Sequence, residues 1–508
     1  MLVRAKYVLL SSGELRQGCA LRIQGDRITE IGSYAELARC YPLDPVIGNG
    51  KQLLLPGLID AHTHGAGLSF IQRGKQYDIL ENALLDFESS VDISPEINSM
   101  LNAVRHIRNG CTTIHHNNWG MPLDPHALEN SRKRIEGYRK VGIRLGFSCG
   151  IRNENILAYG EREFLDELPT DLRKEVAYLT DYDPARAAQE FFHEFHTLYR
   201  EYNSDAVKVF LGPNWVQGST DDFLREVKET ADSLGKIPIH IHTLQTPIQR
   251  AYGLRTYQKS LVSHLDDLGL VDDNLVLGHA VYLSESDITL LGERKVSITH
   301  HPSCNLAMRN GIAPILPMLK AGINVAMGID EKGINDDEDV IMEMRMIFFL
   351  HRIGAFRLTD NPALSAKDVL AIATRNGSFV SGYGDELGKI EVGRLADLIL
   401  VDLEQVLDEP WSAPDADILH MFLHRGMGHH VNTVIVGGDV VMRERKILSI
   451  DVETLYERAR EEAQRRWSEV DARYGRTLER IRPYYQKRYD KWLLESQYNP
   501  YYIFNSRT

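Results

Sequence analysis

Eight strand-length apolar runs, each closing on a polar or Gly/Pro residue, constrain the fold of this chain more than any other feature. They read GLIDAHTH from Gly57, TTIHHN from Thr112, IRLGFSCG from Ile143 and AVKVFLGP from Ala206. IPIHIH from Ile237, LVLGHA from Leu275, VSITHH from Val296 and INVAMGID from Ile323 complete the set. Most are rich in Val and Ile, and helical stretches of about 10–20 residues lie between them. Strand and helix alternating eight times is the pattern of a parallel βα architecture, and eight such units close into a (β/α)8 TIM-type barrel.

The flanks have a different texture. Residues 1–56 hold short strands, in KYVLL, ALRIQGDRITEIG and QLLLP, and the same texture returns after Leu387 in GKIEVGRLADLILVD and NTVIVGGDVVMRERKIL. The simplest organisation is a small β-sandwich domain built from 1–56 and 387–450, with the barrel inserted at 57–386. Residues 451–508 form a C-terminal helical extension whose charged stretch, VETLYERAREEAQRRWSEVDARYGRTLERI, is expected to be a solvated face. Its last aromatics (Tyr498, Tyr501, Tyr502 and Phe504) are expected to pack on a neighbouring surface, such as a second subunit of a homo-oligomer.

Composition excludes several classes of partner. The net charge of −13 and the lack of any Lys/Arg-rich stripe argue against nucleic acid. No stretch approaches the ~18 uncharged apolar residues that a membrane span needs. The N-terminal run reads as a strand rather than a signal peptide, because Glu14 and Arg16 follow it and no small-residue cleavage site appears. Five cysteines, odd in number and without a CxxC pair, suit a reducing compartment. The expectation is a cytoplasmic protein acting on a small molecule.

In a (β/α)8 barrel the functional side chains sit at the C-terminal ends of the strands. Here those ends carry His62 and His64, then His240 and His242, His279, His300 and His301, and Asp330. His62 and His64 lie two apart on an extended run, so both imidazoles point to one side. Two convergent neutral imidazoles bind a borderline divalent cation well, and a further His with a carboxylate from other strands completes a site with an open position for water.

With these residues in view, the sequence resembles the amidohydrolase superfamily, in the branch of cytosine, guanine and adenosylhomocysteine deaminases and triazine hydrolases. LLLPGLIDAHTH is similar to that family's PGxxDxHxH, IPIHIHTLQT to its HxxE segment, LVLGHAVYLSESD to its single-His segment, HHPSCNLAMRNGIAPI to its HCPxSNxxLxxGxxP segment and GIDEKGINDDED to its GTDxxxSND segment. The resemblance covers roughly residues 1–445. It implies metal ligands His62, His64, His242 and Asp330, with Asp330 also the general base and His279 a catalytic group that hydrogen-bonds the attacking water or polarises the scissile group. His240 is expected to be deeper in its strand, as packing or support. Binuclear members use a carboxylated Lys at the end of strand four, whereas Lys208 lies mid-strand, so one divalent ion is expected, zinc ahead of iron.

Four departures from the family pattern stand out. Gln245 replaces the Glu that shuttles a proton in the deaminases, and Gln cannot shuttle one. Asn214 stands where many relatives have His, His301 replaces the Cys of HCP, and HHNNW ends the second strand with a dense polar set. Two readings follow. In one, the chain deaminates or dechlorinates an N-heterocycle, with His300 or His115 as the acid. In the other, which the missing Glu favours, it cleaves an open urea, carbamate or amide, and Gln245 and Asn118 only orient the substrate. The expected substrate-binding set is Gln245, Asn118, Asn214, Trp215, His300 and Asn305, with Trp119, Trp215 and Tyr282 as aromatic walls. A barrel that has lost catalysis is the non-enzymatic alternative, and retention of all four ligands argues against it.

Overall fold

The computed structural model describes residues 1–88, 90–352, 363–407, 410–469 and 472–496. All eight runs form strands of one parallel sheet: β1 (Leu58–Thr63), β2 (Cys111–Asn117), β3 (Arg144–Cys149), β4 (Val207–Leu211), β5 (Ile239–Thr243), β6 (Leu275–His279), β7 (Ser297–His300) and β8 (Asn324–Met327). They are hydrogen-bonded in sequence order from β1 to β8. A parallel bridge between Thr63 and Asp330 brings the last strand's end back to the first, which closes the barrel. Six of the eight strands are wholly buried and β4 and β8 have one half-buried residue each, as parallel strands sheathed by helices must be.

Both chain ends contribute to one seven-stranded sheet, in which Leu398–Val401 pairs antiparallel with Leu53–Pro56 on one side and with Val431–Val436 on the other. Leu2–Arg4, Cys19–Gln24, Arg27–Ser33 and Val46–Ile47 make a second, four-stranded sheet. Apolar residues from both, including Val3, Leu21, Ile28, Leu54, Leu398 and Ile435, share one core.

The C-terminal extension forms helices Val452–Glu469 and Ala472–Glu495. Contrary to the solvated face expected of it, the second helix lies across helices Leu80–Glu88, Glu161–Glu167, Thr170–Thr180 and Pro247–Thr256, which follow β1, β3 and β5. Leu478, Ile481, Tyr485, Tyr489 and Trp492 recur at helical spacing and bury one stripe against them; most of the charge lies on the other side, while Arg488 is buried and pairs with Glu163 and Glu167. Tyr498, Tyr501, Tyr502 and Phe504 lie outside the described residues. No described helix is long and apolar enough to cross a membrane, and all five cysteines are free.

The first and last strands are pinned by Asp60, which is fully buried. Its Oδ1 accepts the N–H of His62 at 3.1 Å and of Ile329 at 3.0 Å, and its Oδ2 lies 2.9 Å from His106 Nε2. Burial alone would lower the His106 pKa, but Glu338 and Asp60 raise it to about 10, so an imidazolium sits between two carboxylates. Removing one partner of such a buried network strands the others, at about 3–5 kcal/mol. Asp60→Ala is therefore expected to lower the stability measured by urea unfolding by about 3 kcal/mol or more; a loss under about 1 kcal/mol would show that barrel closure does not depend on it.

Candidate metal centre

Alternation along the strands decides which side chains enter the barrel mouth. Asp60, His62 and His64 share one face of β1 and its extension, His240 and His242 share one face of β5, and β7 puts Thr299 and His301 together. His279 and Asp330 follow at the ends of β6 and β8 with left-handed backbone, φ +68° and +67°. That conformation is uncommon outside glycine, though His and Asp tolerate it better than most, and strain of this kind concentrates at functional sites.

The result is a compact cluster. One ligand atom from each of His62, His64, His242 and Asp330 lies within 4.8 Å of the others, and the same holds for His62, His279, His301 and Asp330. Asp330 Oδ1 is 3.1 Å from His64 Nε2 and 3.4 Å from His62 Nε2. Its Oδ2 is 3.6 Å from His279 Nε2 and 3.8 Å from His301 Nδ1. The two backbones that carry these groups hold each other: Asp330 N–H donates to His62 O at 2.7 Å, and His64 N–H to Asp330 O at 3.1 Å.

Supporting groups set the tautomers. His64 Nδ1 sits 2.8 Å from the Asn117 carbonyl and His242 Nδ1 against the Asn214 carbonyl, so each Nδ1 carries the proton and each Nε2 lone pair faces the cluster. The two Nε2 atoms are 3.3 Å apart. Asn305 Oδ1 accepts from His279 Nδ1 at 3.0 Å, which leaves His279 Nε2 free of protein partners. His240 Nε2 is 2.9 Å from His62 Nδ1 and holds that ring from behind.

Burial and the neighbouring imidazoles keep His62, His279 and His301 below the ordinary histidine range and bring His242 to about 3. These rings are neutral, the form that ligates metal. His64 differs: burial opposes it, but Asp330 lifts it to about 9. Burial likewise opposes ionisation of Asp330, yet His62 and His64 beside it hold its carboxyl well below the usual range. An ionised carboxylate beside His64 and among four neutral imidazoles, with buried His62 Nε2 and His279 Nε2 lacking any hydrogen-bond partner, suits a divalent cation, which would displace the extra proton of His64.

The expected substrate residues divide into two groups. Trp215 forms a backbone bridge to His242 and meets Trp119 edge-on at 4.9 Å, while Trp119 lies 5.9 Å from His64. Asn214 precedes Trp215 and Gln245 lies three residues beyond His242; both are buried, and both amide atoms of Asn214 lack hydrogen-bond partners. Asn305 sits behind His279 rather than in the opening. His300 and Asn118 turn away: His300 Nε2 is 3.0 Å from His351 Nε2 at the end of helix Val340–Leu350, and Asn118 Nδ2 donates to Ser131 Oγ on helix Ala127–Val141. His115 is deep in the barrel, 2.6 Å from Ser148 Oγ, and burial brings it to about 3. His301, noted in the sequence as a strand-end histidine and a departure from HCP, is the group given no role there; alternation separates it from His300 but does not say which of the two faces the mouth. Lys208, the second residue of β4, pairs with Asp205 at 3.6 Å, at the end of the strand away from the mouth.

These placements have separable consequences. His242→Ala is expected to strip bound metal, measured by atomic absorption. His240→Ala, which removes only the support of His62, should weaken metal affinity by about 10–100-fold in a chelator titration. Lys208→Ala should leave metal content unchanged; a halved content would mean a second ion held by that lysine.

Comparison with known proteins agrees with this fold. The amidohydrolase family model matches residues 53–441. The chain is 30% identical over 464 residues to 5-methylthioadenosine/S-adenosylhomocysteine deaminase of Caldanaerobacter subterraneus subsp. tengcongensis, covering 90% of this chain and 95% of that protein. It is 28% identical over 481 residues to 5'-deoxyadenosine deaminase of Methanosarcina barkeri, covering 93% and 99%. Among solved structures, a zinc-bound adenosine deaminase from Xanthomonas campestris superposes with a TM-score of 0.76 at 24% identity, covering 92% of this chain and 98% of that one. Atrazine chlorohydrolase from Arthrobacter aurescens, complexed with zinc, does so with a TM-score of 0.74 at 21% identity over 91% and 99%. The chain belongs to the amidohydrolase family and is a hydrolase.

Proposed function

We propose that this chain hydrolyses a non-peptide C–N bond of a small molecule at one divalent ion, zinc ahead of iron, held by His62, His64, His242 and Asp330. The observation that carries the reading is the convergence of these four side chains from β1, β5 and the end of β8 on one buried point. A cation there acts as a Lewis acid and lowers the pKa of a coordinated water to roughly 7. The protein's own part is proton handling and orientation. Asp330 accepts a proton through Oδ2, 3.6 Å from His279 Nε2. His279, its Nδ1 proton tied to Asn305, presents a bare Nε2 to the incoming group.

Two leaving-group chemistries suit this arrangement, and a separate observation favours each. Relatives aligned over nine-tenths of the chain are deaminases of adenosine derivatives, which favours release of ammonia from an N-heterocycle. Gln245 lacks the proton shuttle that such a reaction uses, which favours an open urea, carbamate or amide. His300 and His115, the acids first considered for the heterocycle reaction, face away from the cluster, so in that reading the proton passes through His279 or Asp330. Trp119 and Trp215 wall the opening in either case.

A substrate panel separates the two. Adenosine derivatives, ureas, carbamates and amides are incubated with zinc-loaded protein, and ammonia and amine release are read separately. Ammonia from the adenosine derivatives supports the heterocycle reading, and turnover only of ureas, carbamates or amides supports the other. No turnover of any member by fully metallated protein would sink the hydrolase assignment of this site. On whichever substrate is turned over, Asp330→Asn is expected to lower kcat by about 10²–10⁴-fold; a kcat like that of the parent would remove Asp330 from the base role.

A further inference from the structure

Past the seam where β1 and β8 meet, their chains turn apart, and a side chain continues the ladder that the backbone leaves off. The seam itself is Asp330 N–H to His62 O and His64 N–H to Asp330 O. Asp330 then takes left-handed backbone, φ +67°, and the next rung comes from Lys332, whose Nζ donates to the carbonyl of Ala66. Lys332 lies two residues after Asp330, and Ala66 two residues after His64. One contact therefore joins the turns that follow two of the proposed ligands.

Lys332 is fully buried, and so is its counter-ion Glu338. Glu338 Oε1 takes the ammonium group and also the Asn102 side-chain N–H at 2.7 Å, while Oε2 lies 3.5 Å from His106 Nδ1. Glu338 N–H donates to the Lys332 carbonyl at 2.8 Å, which closes residues 332–338 into a loop and brings the carboxylate to the lysine. Burial opposes ionisation of Glu338, but Lys332 and His106 hold its carboxyl at about 2. With His106 against Asp60, four buried charges of alternating sign run from the loop after β8 to the seam: Lys332, Glu338, His106 and Asp60. The turn after His64 is tied to the same helix, Pro95–Arg108, that carries Asn102 and His106. Gly67 N–H donates to Asn98 Oδ1 at 2.8 Å, and the Gly67 carbonyl accepts from Arg105.

Stability alone does not account for this pair. Taking an ammonium group out of water is costly, and well-packed apolar side chains in place of a buried ion pair are often as stable or more so. What an apolar side chain at 332 cannot do is donate to the Ala66 carbonyl. Buried ionic groups are best attested as devices that fix register, and here the register is that of the Asp330 turn against the His64 turn. Asp330 Oδ1 is 3.1 Å from His64 Nε2, so a slip of either turn separates two atoms that must share one cation. We propose that Lys332 is a positioning residue of the metal centre, with Glu338 as its anchor: it clamps the turn after Asp330 to the turn after His64 and keeps both side chains in reach of a common ion. The proposal rests on the reading of His64 and Asp330 as ligands.

The test uses the full-length protein with Lys332→Met and with the double variant Lys332→Met/Glu338→Gln, which removes both charges together so that neither is stranded. Zinc affinity is read by competition with a chelator, ligand geometry by the visible absorption of the cobalt-loaded protein, and local order by hydrogen exchange of the metal-free protein. Both variants are expected to bind zinc about tenfold or more weakly than the parent and to shift the cobalt spectrum. Exchange is expected to quicken about tenfold or more in peptides spanning residues 62–68 and 328–334, and to stay like the parent's in β3 and β4. His242→Ala is the control for the ligand reading. Where that control loses zinc, parent-like affinity or a parent-like cobalt spectrum in the double variant overturns the clamp. Where it keeps zinc, the ligand reading fails and exchange alone judges the clamp: local quickening supports it, and parent-like exchange overturns it. Exchange that quickens equally throughout the barrel overturns it in either case. Should Lys332→Met fail to fold by circular dichroism, the double variant decides; if that also fails, the pair serves folding and the clamp is overturned.

Discussion

The buried carboxylate of Asp60 is the contact on which the active end of this barrel depends. It receives the backbone N–H of His62 and of Ile329, the residues next to the two strand ends where β1 and β8 meet. Two further backbone bonds, between His62 and Asp330 and between Asp330 and His64, complete the seam. Three of the four proposed ligands lie on that seam. Barrel closure and the placement of the proposed ligands are thus set by the same hydrogen bonds, and the Asp60 charge is matched by the His106 imidazolium, whose other side faces Glu338. Lys332, also fully buried, pairs with Glu338 and extends the network into the loop after β8.

Above the seam, the backbone acts as the ligand-orienting layer. Carbonyls of Asn117 and Asn214 take the Nδ1 protons of His64 and His242, and the side chain of Asn305 takes that of His279. Rings held in this way keep their Nε2 lone pairs converged without help from solvent, which is nearly excluded. Low exposure has a second effect: it keeps most of the imidazoles neutral and lets one carboxylate dominate the field of the cluster.

Much of this was legible from the residues. The eight apolar runs identified every barrel strand, because a strand buried on both faces leaves a continuous hydrophobic signature that surface variation cannot blur. The spacing His62-x-His64 and the ends of the later runs pointed to the same polar residues that converge in space. The charged extension was harder to read. Its apolar stripe, Leu478, Ile481, Tyr485 and Tyr489, is interleaved with arginines and glutamates whose number outweighs it in any average over the segment.

By itself, then, the sequence determined the barrel, the polar residue types at its mouth and the absence of a proton-shuttling Glu at position 245, since each is a property of local pattern. Only the tertiary structure decided which of two adjacent histidines enters the cluster. His301 does so with Thr299, while His300 turns to His351, because the pleat of β7 sends neighbours to opposite sides. The tertiary structure likewise laid the C-terminal helix over the segments that follow β1, β3 and β5. Such a meeting depends on how βα segments and the C-terminal helix pack over the barrel, and no local pattern encodes that packing.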